Sequence, residues 1–229
     1  MTYTLVTANR NYSSWSLRPW LLMRALGIVF ADRIEPFEGA ENYTAFRAFS
    51  PTGQVPVLID GQRTVWDSLG IAMYLAERHP GVWPDDEAAR AWAMCAVAEM
   101  HGGFAALRSE RTMNVGVRVD PKPGSARLER DVARLVELWG EGVSRFGGPW
   151  LAGERFSAVD AFFAPVAFRV RTYGIDVGPA GAAWVDTVLA HPAVRDWEAQ
   201  ALAETWRDPD HEAELLECGG VTADHRAKG

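Results

Sequence analysis

A proline sits inside an apolar run, Val55-Pro56-Val57-Leu58-Ile59, that otherwise reads as a β-strand. Proline cannot donate to a ladder, so the run must start there or lie at a sheet edge, and the Val55–Pro56 bond is expected to be cis. Asp60-Gly61 then supplies a tight hairpin turn, and Thr64-Val65-Trp66 returns as a second strand. Asp67-Ser68 follows directly and precedes the helical pattern Leu69, Ala72, Met73, Leu75-Ala76. Side chains at that boundary can cap the helix, and its first amides can receive an anion. Edge proline, turn and helix start, packed into one short stretch, predict a site where a small peptide can pair.

The flanking pattern gives this hairpin a domain to sit in. Thr4-Leu5-Val6-Thr7 is β-type. Ser13-Ser14-Trp15-Ser16 opens a helix carrying Leu17, Leu21, Leu22, Ala25 and Leu26, which Gly27 stops. Ile28-Val29-Phe30 and Arg33-Ile34-Glu35-Pro36 can form a second strand, completing a βαβ unit. The first half thus reads β-α-β-loop-β-β-α, the size of a thioredoxin-like domain. Pro80-Gly81-Val82-Trp83-Pro84-Asp85-Asp86 breaks the pattern and is the natural linker. Beyond it β signals fade: 88–108 and 125–146 are long helical patterns, and Ser157-Ala158-Val159-Asp160 has the form of a capping box before a buried helix. The expected organisation is residues 1–79 as an α/β domain, 80–87 as linker and 88–229 as an all-α helical bundle. The charged tail after Gly219 is expected either to be disordered or to fold back over the protein.

Charge and composition exclude several classes. A formal net charge of -7 and a pI near 5.3 argue against a nucleic-acid surface. No apolar run is long enough to span a bilayer, and the N-terminus lacks the basic and apolar stretches of a secretory signal. Cys95 and Cys218 make neither a disulfide framework nor a metal cluster, so no metal is expected and the cytoplasm is the expected compartment.

Taken together, these segments resemble the cytosolic glutathione transferase family over nearly the whole chain. Ser13-Ser14-Trp15-Ser16 followed by Arg18 is similar to the serine motif of the zeta and theta-like classes, with Trp15 where the zeta pattern has cysteine. Thr52 to Leu58 resembles the family's cis-proline segment, Asp67-Ser68 its γ-glutamyl-binding pair, and Trp150 to Asp160 the capped core helix of its second domain. The resemblance implies a thioredoxin-like domain followed by a helical domain, glutathione as co-substrate, and a homodimer.

It also implies roles. Serines at a helix start are favoured simply as caps, but Ser13 matches the catalytic hydroxyl, with Ser14 as the alternative. Gln54, Val55, Asp67 and Ser68 would hold glutathione: Val55 by its backbone, Ser68 and nearby amides at the γ-glutamyl carboxylate, Asp67 at the ammonium. Gln54 stands where many relatives carry a lysine. A second substrate is expected against the start of the helical half, where Met100, His101, Phe104 and Arg108 recur at helical spacing. For His101 a structural role is equally open. Arg108, Arg111, Arg169 and Arg171 could attract an acidic substrate. The implied reaction is delivery of the glutathione thiolate to an electrophilic or reducible substrate. The alternatives are a glutathione-dependent cis–trans isomerase of a maleyl-type diacid and a non-catalytic binding or regulatory protein of the same fold. The arginine used for carboxylate recognition in the zeta class falls here at Thr172, beside Arg171, which weakens the isomerase.

Overall fold

Leu5 and Val6 are fully buried, and the strand they belong to organises the first half. A computed structural model describes residues 3–39 and 42–228. β1 (Tyr3–Thr7) pairs in parallel with β2 (Phe30–Ile34), reached through α1 (Ser14–Ala25), because a helix is the usual way to return a parallel neighbour. On its other side β1 pairs antiparallel with β3 (Val57–Asp60), which turns into β4 (Arg63–Val65). The turn is at Asp60-Gly61, where Gly61 takes φ of 60°, a conformation that glycine reaches at no steric cost. The sheet order is β2-β1-β3-β4. The strand starts one residue after Pro56, and the Val55–Pro56 bond is cis, as the sequence predicts. A short α2 (Asn42–Phe46) lies in the connection, and α3 (Ser68–Ala76) closes this half.

The second half is built on α4 (Glu87–Gly102), α5 (Ala105–Glu110), α6 (Ala126–Phe146), α7 (Ala158–Tyr173), α8 (Gly178–Ala190), α9 (Pro192–Ala203) and α10 (Pro209–Cys218). The expected helix over 88–108 is in fact two, broken at Gly103-Phe104, where Phe104 adopts a left-handed φ of 54°. α7 is buried on nearly every side and packs against α1, α4 and α8, so it joins the two halves. Its start is fixed by the buried Asp160 carboxylate, which accepts from the Ser157 and Leu151 amides at 3.0 and 2.9 Å and from the Trp184 indole at 3.0 Å. The capping-box reading of that motif is therefore met on the Asp160 side.

The expectation of an all-helical second half needs one correction. β5 (Val117–Pro121) and β6 (Gly219–Asp224) form an antiparallel ribbon, so the tail folds back. Val117 and Val119 alternate with Arg118 and Asp120, and their buried side chains pack with Tyr173, Leu215 and Cys218. That period of two was present in the sequence, but too short to stand out between two long helices. Among the described residues no helix is long and apolar enough to cross a membrane.

Candidate active site

The loop before α1 is shaped by the far end of the chain. The Glu204 carboxylate accepts from the Arg10 and Asn11 amides at 2.6 and 3.3 Å and from the Asn11 side chain at 3.2 Å. The Trp197 indole donates to the Arg10 carbonyl at 2.9 Å. The Arg10 guanidinium packs against both the Trp20 and Trp197 rings and bonds Asp32. These bonds place Ser13 at the start of α1.

Ser13 takes the capping position but makes no capping bond, and the first turn of α1 carries no acid. Its hydroxyl is instead 2.7 Å from that of Ser16, which accepts from the Ala8 amide at 3.2 Å. The helix start therefore offers free amides and the positive end of the helix dipole to any anion beside it. Both Ser13 and Ser14 line a cavity of about 790 Å³.

Across that cavity lie Gln54 and Val55. The Gln54 backbone is tied to the Ser50 hydroxyl, by its carbonyl at 2.6 Å and its amide at 3.2 Å. Gly53, at φ 67°, packs so close to Tyr43 that a Cβ would fall 2.6 Å from the ring. Val55 precedes β3, and its amide and carbonyl make no hydrogen bond among the described residues. Asp67, also on the cavity wall, caps α3 by accepting from Leu69 and Gly70. Its second oxygen is 3.2 Å from His101 Nε2. The Ser68 hydroxyl is buried with no partner among the described residues, an orphan donor at a helix start.

Of the expected second-substrate residues, only Arg108 reaches the cavity. Met100 is fully buried in the core, because the α4 face it shares packs on α7. Phe104 is buried edge-on against Phe163. Helical spacing marked them as one side of a helix, and that side is the core. His101 serves Asp67 and the edge of Trp15 instead. Burial, with Arg18 and Arg108 nearby, lowers its pKa against the pull of Asp67, favouring the neutral imidazole.

The arginines divide sharply. Arg171 pairs with Glu198 at 2.6 Å, and Arg111 donates to the carbonyls of Glu110 and Lys122. Arg108 and Arg169 both line the cavity. Arg108 donates to the carbonyls of Met100 and His101 at 3.1 and 3.4 Å, and Arg169 to those of Arg111 and Pro165 at 2.7 and 3.2 Å. Arg18 is buried against Trp15, its guanidinium 4.0 Å from the ring centre, with Nε and Nη1 unpartnered among the described residues. The Trp15–Arg18 spacing of three was the signal for that stack. Thr172 is buried and donates to the Asn114 carbonyl.

The sequence did not point to the roof. Tyr12, Phe37, His211 and Glu214 line the same cavity, with the His211 ring stacked on Tyr12 at 5.0 Å and on Phe37 at 4.8 Å. The Tyr12 hydroxyl donates to Glu212 at 2.7 Å, and burial with that bond pushes the phenol far above its ordinary range. The Tyr12 hydroxyl is thus engaged with Glu212.

Comparison with known proteins matches this geometry to a family. Residues 12–78 match the glutathione S-transferase N-terminal domain, and residues 122–199 the C-terminal domain. Glutathione S-transferase F14 of Arabidopsis thaliana is 29% identical over 170 residues, which is 67% of this chain and 66% of that protein. A zeta-class glutathione S-transferase of Euphorbia esula is 23% identical over 172 residues, 73% of this chain and 76% of that one. A Burkholderia glutathione transferase homolog, solved with bound glutathione, shares the fold at a TM-score of 0.67 and 21% identity, over 88% of this chain and 98% of its own. With both domains matched in order across most of its length, the chain belongs to the cytosolic glutathione transferase family.

Proposed function

We propose that this protein is a serine-type glutathione transferase, which binds glutathione in the first domain and presents its thiolate to a small electrophilic or reducible substrate in the cavity. The observation that carries this reading is the uncapped, acid-free start of α1, with Ser13 hydrogen-bonded to Ser16, facing the free backbone of Val55 across one cavity. The cysteinyl backbone would pair with Val55 as a short added strand. The γ-glutamyl carboxylate would meet the start of α3 and the orphan Ser68 hydroxyl, and the ammonium would meet Asp67. Gln54 would bond the glycyl carboxylate.

Those contacts bring the thiol to Ser13. The Ser13 and Ser16 hydroxyls can rotate, so a thiolate can turn the chain of donors toward itself: Ala8 amide to Ser16, Ser16 to Ser13, Ser13 to sulfur. Each donor polarises the next, and the helix dipole adds to them, so the charged form is favoured. Positioning and thiolate stabilisation are the protein's contribution to the reaction.

A free thiol titrates near about 8.5. With saturating glutathione, thiolate absorbance against pH is expected to give a lower value for the wild type, and Ser13→Ala to move it back up. Unchanged curves for Ser13→Ala would pass the role to Ser14. Wild-type glutathione titrating as it does in water, with no electrophile consumed, would leave a binding protein rather than an enzyme.

A further inference from the structure

Three arginines meet near one end of the cavity without a carboxylate to neutralise them. Among the described residues none of Arg18, Arg108 and Arg169 forms an ion pair, whereas Arg10, Arg134, Arg171 and Arg226 do. The hydrogen bonds of Arg108 and Arg169 go to main-chain carbonyls, which satisfy donors but leave the charge in place. The nearest acids are engaged elsewhere: Asp67 with His101 and the α3 amides, Asp131 with the Leu107 amide.

Burying uncompensated positive charge is costly, and like charges close together add to the cost. The strain is visible in the groups themselves. Burial, with Arg108 and Arg169 nearby, lowers Arg18 to about 9, and burial lowers Arg169 to about 10. All three remain charged at neutral pH. A fold that keeps such a cluster beside a cavity, with Arg18 Nε and Nη1 buried and unpartnered, is complete only when an anion arrives. Arg108 and Arg169 present that charge at the wall, and Arg18 reinforces it from behind Trp15, another wall residue. Thr112 and Ser14, which also line the cavity, carry hydroxyls.

We infer that this end of the cavity is a carboxylate subsite, so the second substrate is an electrophile bearing a carboxylate, held by Arg108 and Arg169 with Arg18 behind them. This assignment rests on the transferase reading above. Glutathione's own carboxylates have other partners in that reading, at Ser68 and Gln54, so the subsite is left for the acceptor.

The test uses two thioethers of equal chain length, S-(3-carboxypropyl)glutathione and S-butylglutathione, titrated calorimetrically into the full chain. A charge-assisted pair predicts that the carboxylate compound binds about 10–100-fold tighter. Arg108→Gln, whose amide can still donate to the α4 carbonyls, is expected to cut that advantage to about 3-fold or less, and Arg108→Lys to restore part of it. Glutathione itself is expected to bind Arg108→Gln as it binds the wild type. Arg169→Met is the second variant, its folding checked by circular dichroism. Equal binding of the two thioethers by the wild type, or an advantage unchanged by Arg108→Gln, overturns the subsite while the glutathione reading stands. If neither thioether nor glutathione binds, the transferase reading fails, and 4-phenylbutyrate against 4-phenylbutanol, followed by tryptophan quenching, decides the subsite alone. A preference for the carboxylate that Arg108→Gln abolishes supports it, and no preference overturns it.

Discussion

The two ends of the cavity are built differently. At the α3 end the groups that the proposed reading uses are main chain: the free edge at Val55, the amides that Asp67 caps, the start of α1. At the α5–α7 end they are long side chains, Arg108 and Arg169, reaching in from helices far apart in sequence. A main-chain site demands a proline, a turn and a capping acid at set spacings, and so leaves a pattern that can be read. A side-chain site demands only that certain helix faces meet, and any helix can carry an arginine.

If the main-chain end is held in shape by the rest of the fold, its supports should matter more than its contacts. The largest effect is therefore expected from Glu204→Ala, which leaves the Arg10 and Asn11 amides and the Asn11 side chain without an acceptor. Chemical denaturation should show a loss of about 2–4 kcal/mol, together with a fall in turnover beyond what stability explains. Unchanged turnover in the folded variant would separate the loop from the chemistry.

Asp67→Ala sharpens the contrast at a contact. Glutathione affinity is expected to fall about 10–100-fold, while stability drops by only about 1 kcal/mol for the lost cap. The reverse ranking, by calorimetry and melting, would make Asp67 only a cap.

A smaller change is expected from Ser16→Ala, which touches no ligand but removes the hydroxyl that Ser13 is hydrogen-bonded to. It should raise the thiol titration in the same direction as Ser13→Ala and slow turnover about 3–10-fold. Identical titration in Ser16→Ala and wild type would show that Ser13 acts without it.

The mildest effect concerns acid and the roof. Arg226 bonds both Glu212 and Asp224; it holds the Asp224 carboxyl below its ordinary range, and at Glu212 it outweighs burial to do the same. Carboxylates lowered in the fold add stability above their ordinary pKa of about 4, and that stability is lost as pH falls through the lowered values. Asp160 has the opposite sign: burial pushes it up to about 6, so its contribution is lost as pH rises through about 6. Hydrogen exchange should thus show β6 and α10 opening between about pH 5 and 3, ahead of α7. Uniform opening would mean that Arg226 does not govern the roof.

The same contrast explains what was legible. The hairpin, the Val55–Pro56 geometry and the Asp67 cap were read from local chemistry, because each is decided by a few neighbouring residues. The spacing that singled out Arg108, which lines the cavity, also pointed to Met100 and Phe104, which fill the core. Periodicity marks one face of a helix and does not say whether a cavity or another helix lies against it. Tyr12, His211 and Glu204 had no local signature, since their roles come from chain segments almost two hundred residues apart, as in Arg10 with Glu204.

The bonds from Glu204, Trp197 and Arg226 to residues 10–12 also bear on how the molecule comes into being. Synthesis is vectorial, and the β1–β4 sheet can pair while the later helices are still on the ribosome. The loop ahead of Ser13 cannot take its final shape then, since its acceptor and its indole clamp have not yet been translated. A nascent chain could hold the peptide edge at Val55 and still lack an activated thiol. On the proposed reading, the thiol of bound glutathione would be activated only once that segment docks.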